Sequence, residues 1–172
     1  MGSMIIFITG GVKSGKSAFA LQLADRRFEK KTYVATAIAE DDEMRERIRL
    51  HREERDETYT TIEEPFDLDR VHGENIILDD LTVWMGNLLY KNREGEWQPI
   101  LKGFLDCIDT DAIIISNETG LGNIPMDGTT RKYNRLLGEA NAYTAARADQ
   151  VYLMVSGIPV LIKGPGIPGL EI

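Results

Sequence analysis

The run Gly10-Gly11-Val12-Lys13-Ser14-Gly15-Lys16-Ser17 fits the pattern G-x-x-x-x-G-K-[ST], a spacing suited to cradling phosphate. Its glycines let the loop curl until successive backbone N–H groups converge on phosphate oxygens, at a helix start whose dipole favours negative charge. In that arrangement Lys16 reaches the β- and γ-phosphates and the Ser17 hydroxyl holds Mg²⁺. With glycine at ~7% of residues, a chance match in a chain of this length has a probability on the order of 1%. Phosphoryl transfer also needs a carboxylate near the metal, at the end of a neighbouring strand. Asn75-Ile-Ile-Leu-Asp79-Asp80 provides one: Asp79 is the metal-side candidate, and Asp80 reads as the N-cap of a helix beginning near Leu81. A second apolar run ends in Asn117-Glu118, followed by Thr119-Gly120-Leu121-Gly122. Neither N-K-x-D nor D-x-x-G occurs, so a phosphotransferase on a small acceptor is favoured over a regulatory GTPase.

The second chemical centre is a histidine. From Asp41 to about Arg55 the chain is highly charged but helical in spacing, with Met44, Ile48 and His51 at i, i+4 and i+7. That places His51 on an apolar face next to a sheet, either as a hydrogen-bonded core residue or as a nucleophile. Arg45, Arg47, Arg49, Arg52 and Arg55 interleave with Glu43, Glu46, Glu53 and Glu54, a pattern that also gives i,i+4 pairs on a solvated face.

Five apolar runs of strand length must position these groups: Met4–Ile8, Tyr33–Ala35, Ile76–Leu78, Ala112–Ile115 and Val151–Val155. Helical spacing lies between them, as in Phe19, Leu23 and Ala24, and again in Tyr133, Leu136, Leu137, Ala140 and Thr144. Strands apolar throughout and separated by helices imply a mostly parallel sheet covered on both faces. In such a sheet the strand ends share one ligand-binding edge. Val151–Ser156, Gly157-Ile-Pro159 and Val160–Lys163 read as a C-terminal antiparallel hairpin at the sheet edge. The sequence therefore predicts one α/β domain over residues 4–163, with Gly2-Ser3 as an expression remnant and residues 164–172 as a loose tail.

Composition narrows the partners. The chain has 172 residues and a formal net charge of −8, which argues against a long nucleic acid or an anionic membrane as its main ligand. The positive charge is concentrated where phosphate would bind: residues 1–39 carry six basic and two acidic side chains. One cysteine, Cys107, and two histidines, His51 and His72, exclude an intrachain disulfide and a three-His or multi-cysteine metal site. No apolar stretch approaches the ~18 residues of a membrane span. The expected location is the cytoplasm.

Thr9–Ser17, Tyr33-Val-Ala-Thr36, Asp41-Asp-Glu-Met44 with Arg47-Ile48, and His51-x-x-x-Arg55 occur in this order. They are followed by Ile62-Glu63-Glu-Pro65, Leu78-Asp-Asp-Leu-Thr82 with Asn87-Leu-Leu89, Ser116–Gly122 with Pro125, and Val155-Ser-Gly-Ile158. Together these motifs resemble the adenosylcobinamide kinase/adenosylcobinamide-phosphate guanylyltransferase family over roughly residues 4 to 163. The resemblance implies a RecA-like P-loop NTPase fold and a homotrimer with active sites near subunit boundaries. It also implies two reactions: ATP or GTP phosphorylates adenosylcobinamide, and a histidine then carries GMP from GTP to adenosylcobinamide phosphate. His51 matches that histidine. By the same matching Thr36, Arg52, Arg55, Glu63 and Asp79 lie near the guanine nucleotide, with Ser17 and Asp79 on the Mg²⁺ side. Asn117 and Glu118 fall on the substrate side, Arg131 fits a phosphate or corrin-side role or else an ordinary surface position, and His72 has no counterpart. Asp80 stands where the family commonly has a small or apolar residue, and Ala142 follows Asn141 where Gln is usual. A monofunctional P-loop kinase of a small hydroxyl substrate, with His51 as core packing, is the alternative.

Overall fold

The computed structural model describes residues 3–39, 42–53, 55–122 and 124–166, without the side chains of residues 43, 44, 47 and 51. Strand β1 (Ile5–Gly10) is buried at every position, and the P-loop follows it into helix α1 (Lys16–Arg27). Next come β2 (Lys31–Ala35), α2 (Asp42–Glu53), β3 (Tyr59–Glu63), β4 (Ile76–Asp79) and α3 (Leu81–Tyr90). The chain continues through α4 (Trp97–Cys107), β5 (Ala112–Ile115), α5 (Gly128–Arg147), β6 (Gln150–Val155) and β7 (Ile158–Lys163). The seven strands form one sheet in the order β3-β2-β4-β5-β1-β6-β7, parallel throughout except for the β6–β7 pair.

Alternation along the strands divides the core between the two faces. Ile6, Ile8, Tyr33, Ile77, Ile113 and Ile115 pack against Phe19, Ala20, Leu23 and Ala24 of α1. Ile5, Phe7, Val34, Leu78 and Ile114 pack against α3, α4 and α5 through Trp84, Leu88, Leu101, Phe104 and Leu137. All five sequence-predicted strands are present, and the parallel ladder brings the ends of β1, β2, β4 and β5 to one edge.

Three local expectations change. The hairpin turn is Ser156-Gly157, with Val155 paired to Ile158, so Pro159 belongs to β7 rather than to the turn. Ser156 and Gly157 both have positive φ, 50° and 84°, the combination of a two-residue turn whose twist matches its strands. Pro159 is tolerated because β7 is the edge strand. The helix predicted from Asp41 to Arg55 runs from Asp42 to Glu53, which leaves Arg55 beyond its end, while Asp41 lies outside the described residues. Its apolar stripe is partial: Ile48 is half-buried and Leu50 is 47% exposed. The side chains of Met44 and His51 are outside the described set, as are residues 1–2 and 167–172 of the expected remnant and tail. β3 and α4 have no counterpart among the predicted elements.

Candidate active site

The P-loop is shaped by its close neighbours. Gly10 has φ 151°, and a Cβ there would lie 2.6 Å from the Met154 carbonyl oxygen, so no side chain fits. Gly15 enters α1 in the left-handed region at φ 94°, where glycine carries no steric penalty. The loop is pinned from two sides: the Glu118 N–H donates to the Gly10 carbonyl at 2.9 Å, and the Gly157 N–H to the Ser14 carbonyl at 3.0 Å. The strand-end loop after β5 and the C-terminal hairpin thus hold it in place.

Lys16 is buried, with Nζ donating to the Gly11 carbonyl at 2.6 Å. Burial lowers its pKa from the usual lysine value, and the nearby Asp80 and Asp79 carboxylates oppose that shift. The lysine therefore sits within electrostatic reach of the end of β4. Val12, Lys13, Ser14, Gly15, Lys16 and Ser17 line an open cleft of about 820 Å³ with Asp79, Asp80 and Asn117. Ser14 Oγ is buried there with no hydrogen-bond partner among the described residues. The fold thus brings Val12 to Ser17 together with Asp79 and with Asn117, a residue expected on the substrate side.

Asp80 fills two positions at once. Its Oδ1 accepts the Val83 N–H at 2.7 Å, the N-cap foreseen from the sequence, while the residue also borders the cleft. Thr36 is fully buried and its polar groups are engaged within the fold. Its hydroxyl lies 3.0 Å from the Asp80 N–H, 2.9 Å from the Asp80 carbonyl and 3.2 Å from the Asp79 carbonyl. Its N–H reaches the Asp79 carbonyl at 3.1 Å, and its own carbonyl accepts Asn87 Nδ2 at 2.8 Å. Thr36 is a brace between β2 and the β4–α3 junction.

Beyond Asp79 a second group of predicted residues begins. The Tyr33 phenol donates to Asp79 Oδ2, and the Arg55 guanidinium lies 3.8 Å above the centre of the Tyr33 ring. Burial, reinforced by Asp79, pushes the Tyr33 pKa upward, so the phenol keeps its proton. Arg55 Nε and Nη1 are buried without a hydrogen-bond partner among the described residues, and burial lowers the Arg55 pKa. Arg52 and Glu63 form an ion pair with each other at the surface, an arrangement of small energetic consequence. Sequence reading placed Tyr33 only in a strand motif; its role as the link between Asp79 and Arg55 depends on β2 lying beside β4, which no local pattern reveals.

On the other side of the cleft a buried network sets the loop after β5. Ser116 Oγ donates to Asn141 Oδ1 at 2.6 Å, Asn141 Nδ2 donates to the Asn117 carbonyl at 2.9 Å, and the Asn117 N–H donates to Thr82 Oγ1 at 2.7 Å. Glu118 Oε1 accepts the Gly120 N–H at 2.6 Å. Arg131 Nη1 donates to the Pro125 and Met126 carbonyls at 2.9 and 2.6 Å. It borders a separate recess of about 320 Å³ with Gly120 and Gly122. Arg131 is thus a loop brace next to the predicted substrate side, and does not line the P-loop cleft.

Oxygen donors from Ser17 and Asp79 border the same cleft as the phosphate loop, the type and number of protein ligands that suit Mg²⁺ held mainly by substrate phosphates and water. One strand, β5, separates the P-loop strand β1 from the Asp79 strand β4. Strand order, P-loop and strand-end carboxylate together define a RecA-like P-loop nucleotide-binding protein. The family model for cobinamide kinase / cobinamide phosphate guanyltransferase matches residues 6–162, and the chain belongs to that family. It is 35% identical to the bifunctional adenosylcobalamin biosynthesis protein CobP of Pseudomonas aeruginosa, over 91% of this chain and 96% of that one. It is 32% identical to the bifunctional adenosylcobalamin biosynthesis protein CobU of Escherichia coli, over 93% of this chain and all of that one. Among solved structures, the RadB recombinase superposes with a TM-score of 0.49 at 18% identity, covering 88% of this chain and 74% of that one.

Proposed function

We propose that this chain is a bifunctional transferase that phosphorylates adenosylcobinamide with ATP or GTP, then transfers GMP from GTP through His51 to give adenosylcobinamide-GDP. The observation that carries this reading is the continuity of the site. Asp79 borders the P-loop cleft and is joined through Tyr33 to Arg55, two residues beyond the end of the helix that bears His51. Family membership over residues 6–162 and relatives named as bifunctional favour it over a monofunctional kinase.

In the first reaction the backbone N–H groups of Gly10 to Ser17 and the Lys16 ammonium bind the triphosphate and stabilise charge spreading over the transferred phosphoryl group. Ser17 and Asp79 would hold Mg²⁺, which supplies charge neutralisation across the phosphate oxygens. In the second, a neutral His51 imidazole nitrogen attacks the α-phosphorus of GTP, and the bond to pyrophosphate breaks. The resulting phosphoramidate is then attacked by a phosphate oxygen of adenosylcobinamide phosphate, which releases His51. Arg52 and Arg55, close to His51 in the chain, neutralise charge on the transferred phosphorus. Thr36 acts as a brace, Glu63 orients Arg52, and Asn117, Glu118 and Arg131 shape the corrinoid side.

The active form we propose is a homotrimer in the cytoplasm, each subunit a single domain over residues 4–163. Val155, Ile158, Val160 and Ile162 are 43–59% exposed on the edge hairpin, an apolar surface that supports packing against another copy of the chain. Incubation with GTP labelled at the α-phosphate tests the mechanism. We expect acid-labile, protein-bound GMP that disappears in His51→Ala. Unlabelled wild-type protein with intact kinase activity would refute the second reaction and leave a kinase alone.

A further inference from the structure

Arg55 presents a physical puzzle. Its guanidinium carbon lies over the Tyr33 ring, 3.8 Å from the centroid, yet Nε and Nη1 are buried without a partner among the described residues. A cation–π contact satisfies the face of a guanidinium and leaves its in-plane N–H donors unused. Buried donors left in this state are costly unless another group completes them. The same tyrosine donates its O–H to Asp79 Oδ2, so its two ends touch the carboxylate bordering the P-loop cleft and the cation beyond the histidine helix. The ring itself is 4% exposed and packed into the core against α1. Its position is therefore fixed by the fold, independently of either polar neighbour.

We propose that Tyr33 is a positioning residue for both half-reactions. Its hydroxyl sets the rotamer of Asp79 for the metal–triphosphate, and its ring holds Arg55 so that the open guanidinium edge meets a phosphate of the guanine nucleotide. The proposal rests on the function assigned above, and it separates one residue into two arms that single substitutions can resolve. Tyr33→Phe removes the hydroxyl and keeps the ring. Tyr33→Leu removes both.

The experiment uses the full chain in two measurements. The first is Mn²⁺ affinity in the presence of a non-hydrolysable GTP analogue, read by electron paramagnetic resonance. The second is the single-turnover rate of covalent labelling by α-phosphate-labelled GTP at saturating Mg²⁺. Loss of a hydrogen bond that orients a metal-side ligand weakens metal affinity about 10- to 100-fold. We expect Tyr33→Phe to show that loss while labelling stays within about twofold, since the ring under Arg55 remains. Tyr33→Leu should lose about tenfold or more in both. If Tyr33→Leu does not fold, Arg55→Lys, which keeps the charge but not the delocalised guanidinium over the ring, tests the ring arm and should slow labelling while sparing Mn²⁺ binding. Wild-type Mn²⁺ affinity in Tyr33→Phe, or wild-type labelling in the variant that tests the ring arm, would overturn the proposal. Equal loss of both readouts in Tyr33→Phe would also overturn it, by reducing Tyr33 to a packing residue. If the wild-type protein is not labelled at all, the guanylyl-transfer reading fails, and the Mn²⁺ measurement alone decides the hydroxyl arm.

Discussion

Replacing Thr36 by valine separates a brace from a nucleotide contact, because the two roles predict opposite patterns. Valine keeps the shape of threonine but removes the hydroxyl that accepts the Asp80 N–H at 3.0 Å and lies 2.9 Å from the Asp80 carbonyl. That carbonyl also accepts the Trp84 N–H, and the Asp79 carbonyl also accepts the Thr36 N–H. The main cost is therefore the lost acceptor of the Asp80 N–H at a junction where Thr36 is 0% exposed. A buried polar group deprived of its partner costs about 1–3 kcal/mol. For a domain of this size each kcal/mol lowers Tm by about 2–4 °C. The apo protein should therefore melt roughly 2–12 °C lower, while Thr36→Ser, which keeps the hydroxyl, should lose less. Differential scanning calorimetry with and without GTP and Mg²⁺ makes the comparison. A brace lowers Tm in both states and preserves the increment given by the nucleotide. An apo Tm within about 1 °C of wild type, with the nucleotide increment lost, would refute the assignment and make Thr36 a ligand contact.

Gly10→Ala places a Cβ 2.6 Å from the Met154 carbonyl, so β1 or β6 must shift. We expect a loss of about 1–3 kcal/mol in denaturant unfolding and weaker nucleotide binding, measured by titration calorimetry. Removal of divalent metal with EDTA should weaken nucleotide affinity, since Asp79 and Asp80 border the phosphate site and repel a bare triphosphate. Asp79→Asn should make binding less metal-dependent, and equal dependence in the two proteins would count against the charge argument. Burial lowers the Lys16 pKa in the free protein, whereas bound phosphates favour the charged form and raise it. Affinity is therefore flat below the free-site pKa and falls as pH rises through it, by up to about tenfold per unit. The same titration with Lys16→Arg should lose this alkaline limb.

How much of this was visible in the sequence depended on how locally each feature is encoded. The P-loop was legible because its conformation is written into consecutive residues, with the flanking strand and helix as support. The five buried strands were legible because a strand covered on both faces must be apolar throughout. β3 was not: it lies at the sheet edge, and Tyr59, Thr60, Thr61, Ile62 and Glu63 are only partly buried or exposed, so burial left little pattern in them. α4 does carry the apolar spacing Trp97, Ile100, Leu101, Phe104 and Leu105, and its Pro99 falls in the first turn, where proline needs no helical partner. Here the signal existed, and the adjacent charged segment obscured it.

The site was less legible than the fold because its connections run across the sheet. Asp79 could be selected as a strand-end carboxylate, but its partner could not, since β2 and β4 become neighbours only when β4 pairs with β2 in register Ala35 to Asp79. That register sets Tyr33 two residues before the strand end opposite Asp79, within reach of its carboxylate. A one-residue slip would turn Tyr33 to the other face of the sheet, away from α1, whose Phe19 and Leu23 pack in the same cluster. The hydrophobic demand of the core thus fixes the register, and the register fixes the polar link between Asp79 and Arg55. The coupling of the P-loop to the region of the histidine helix is consequently a product of ordinary core packing, and substitutions that disturb the α1 face of β2 should reach both reactions without touching any substrate.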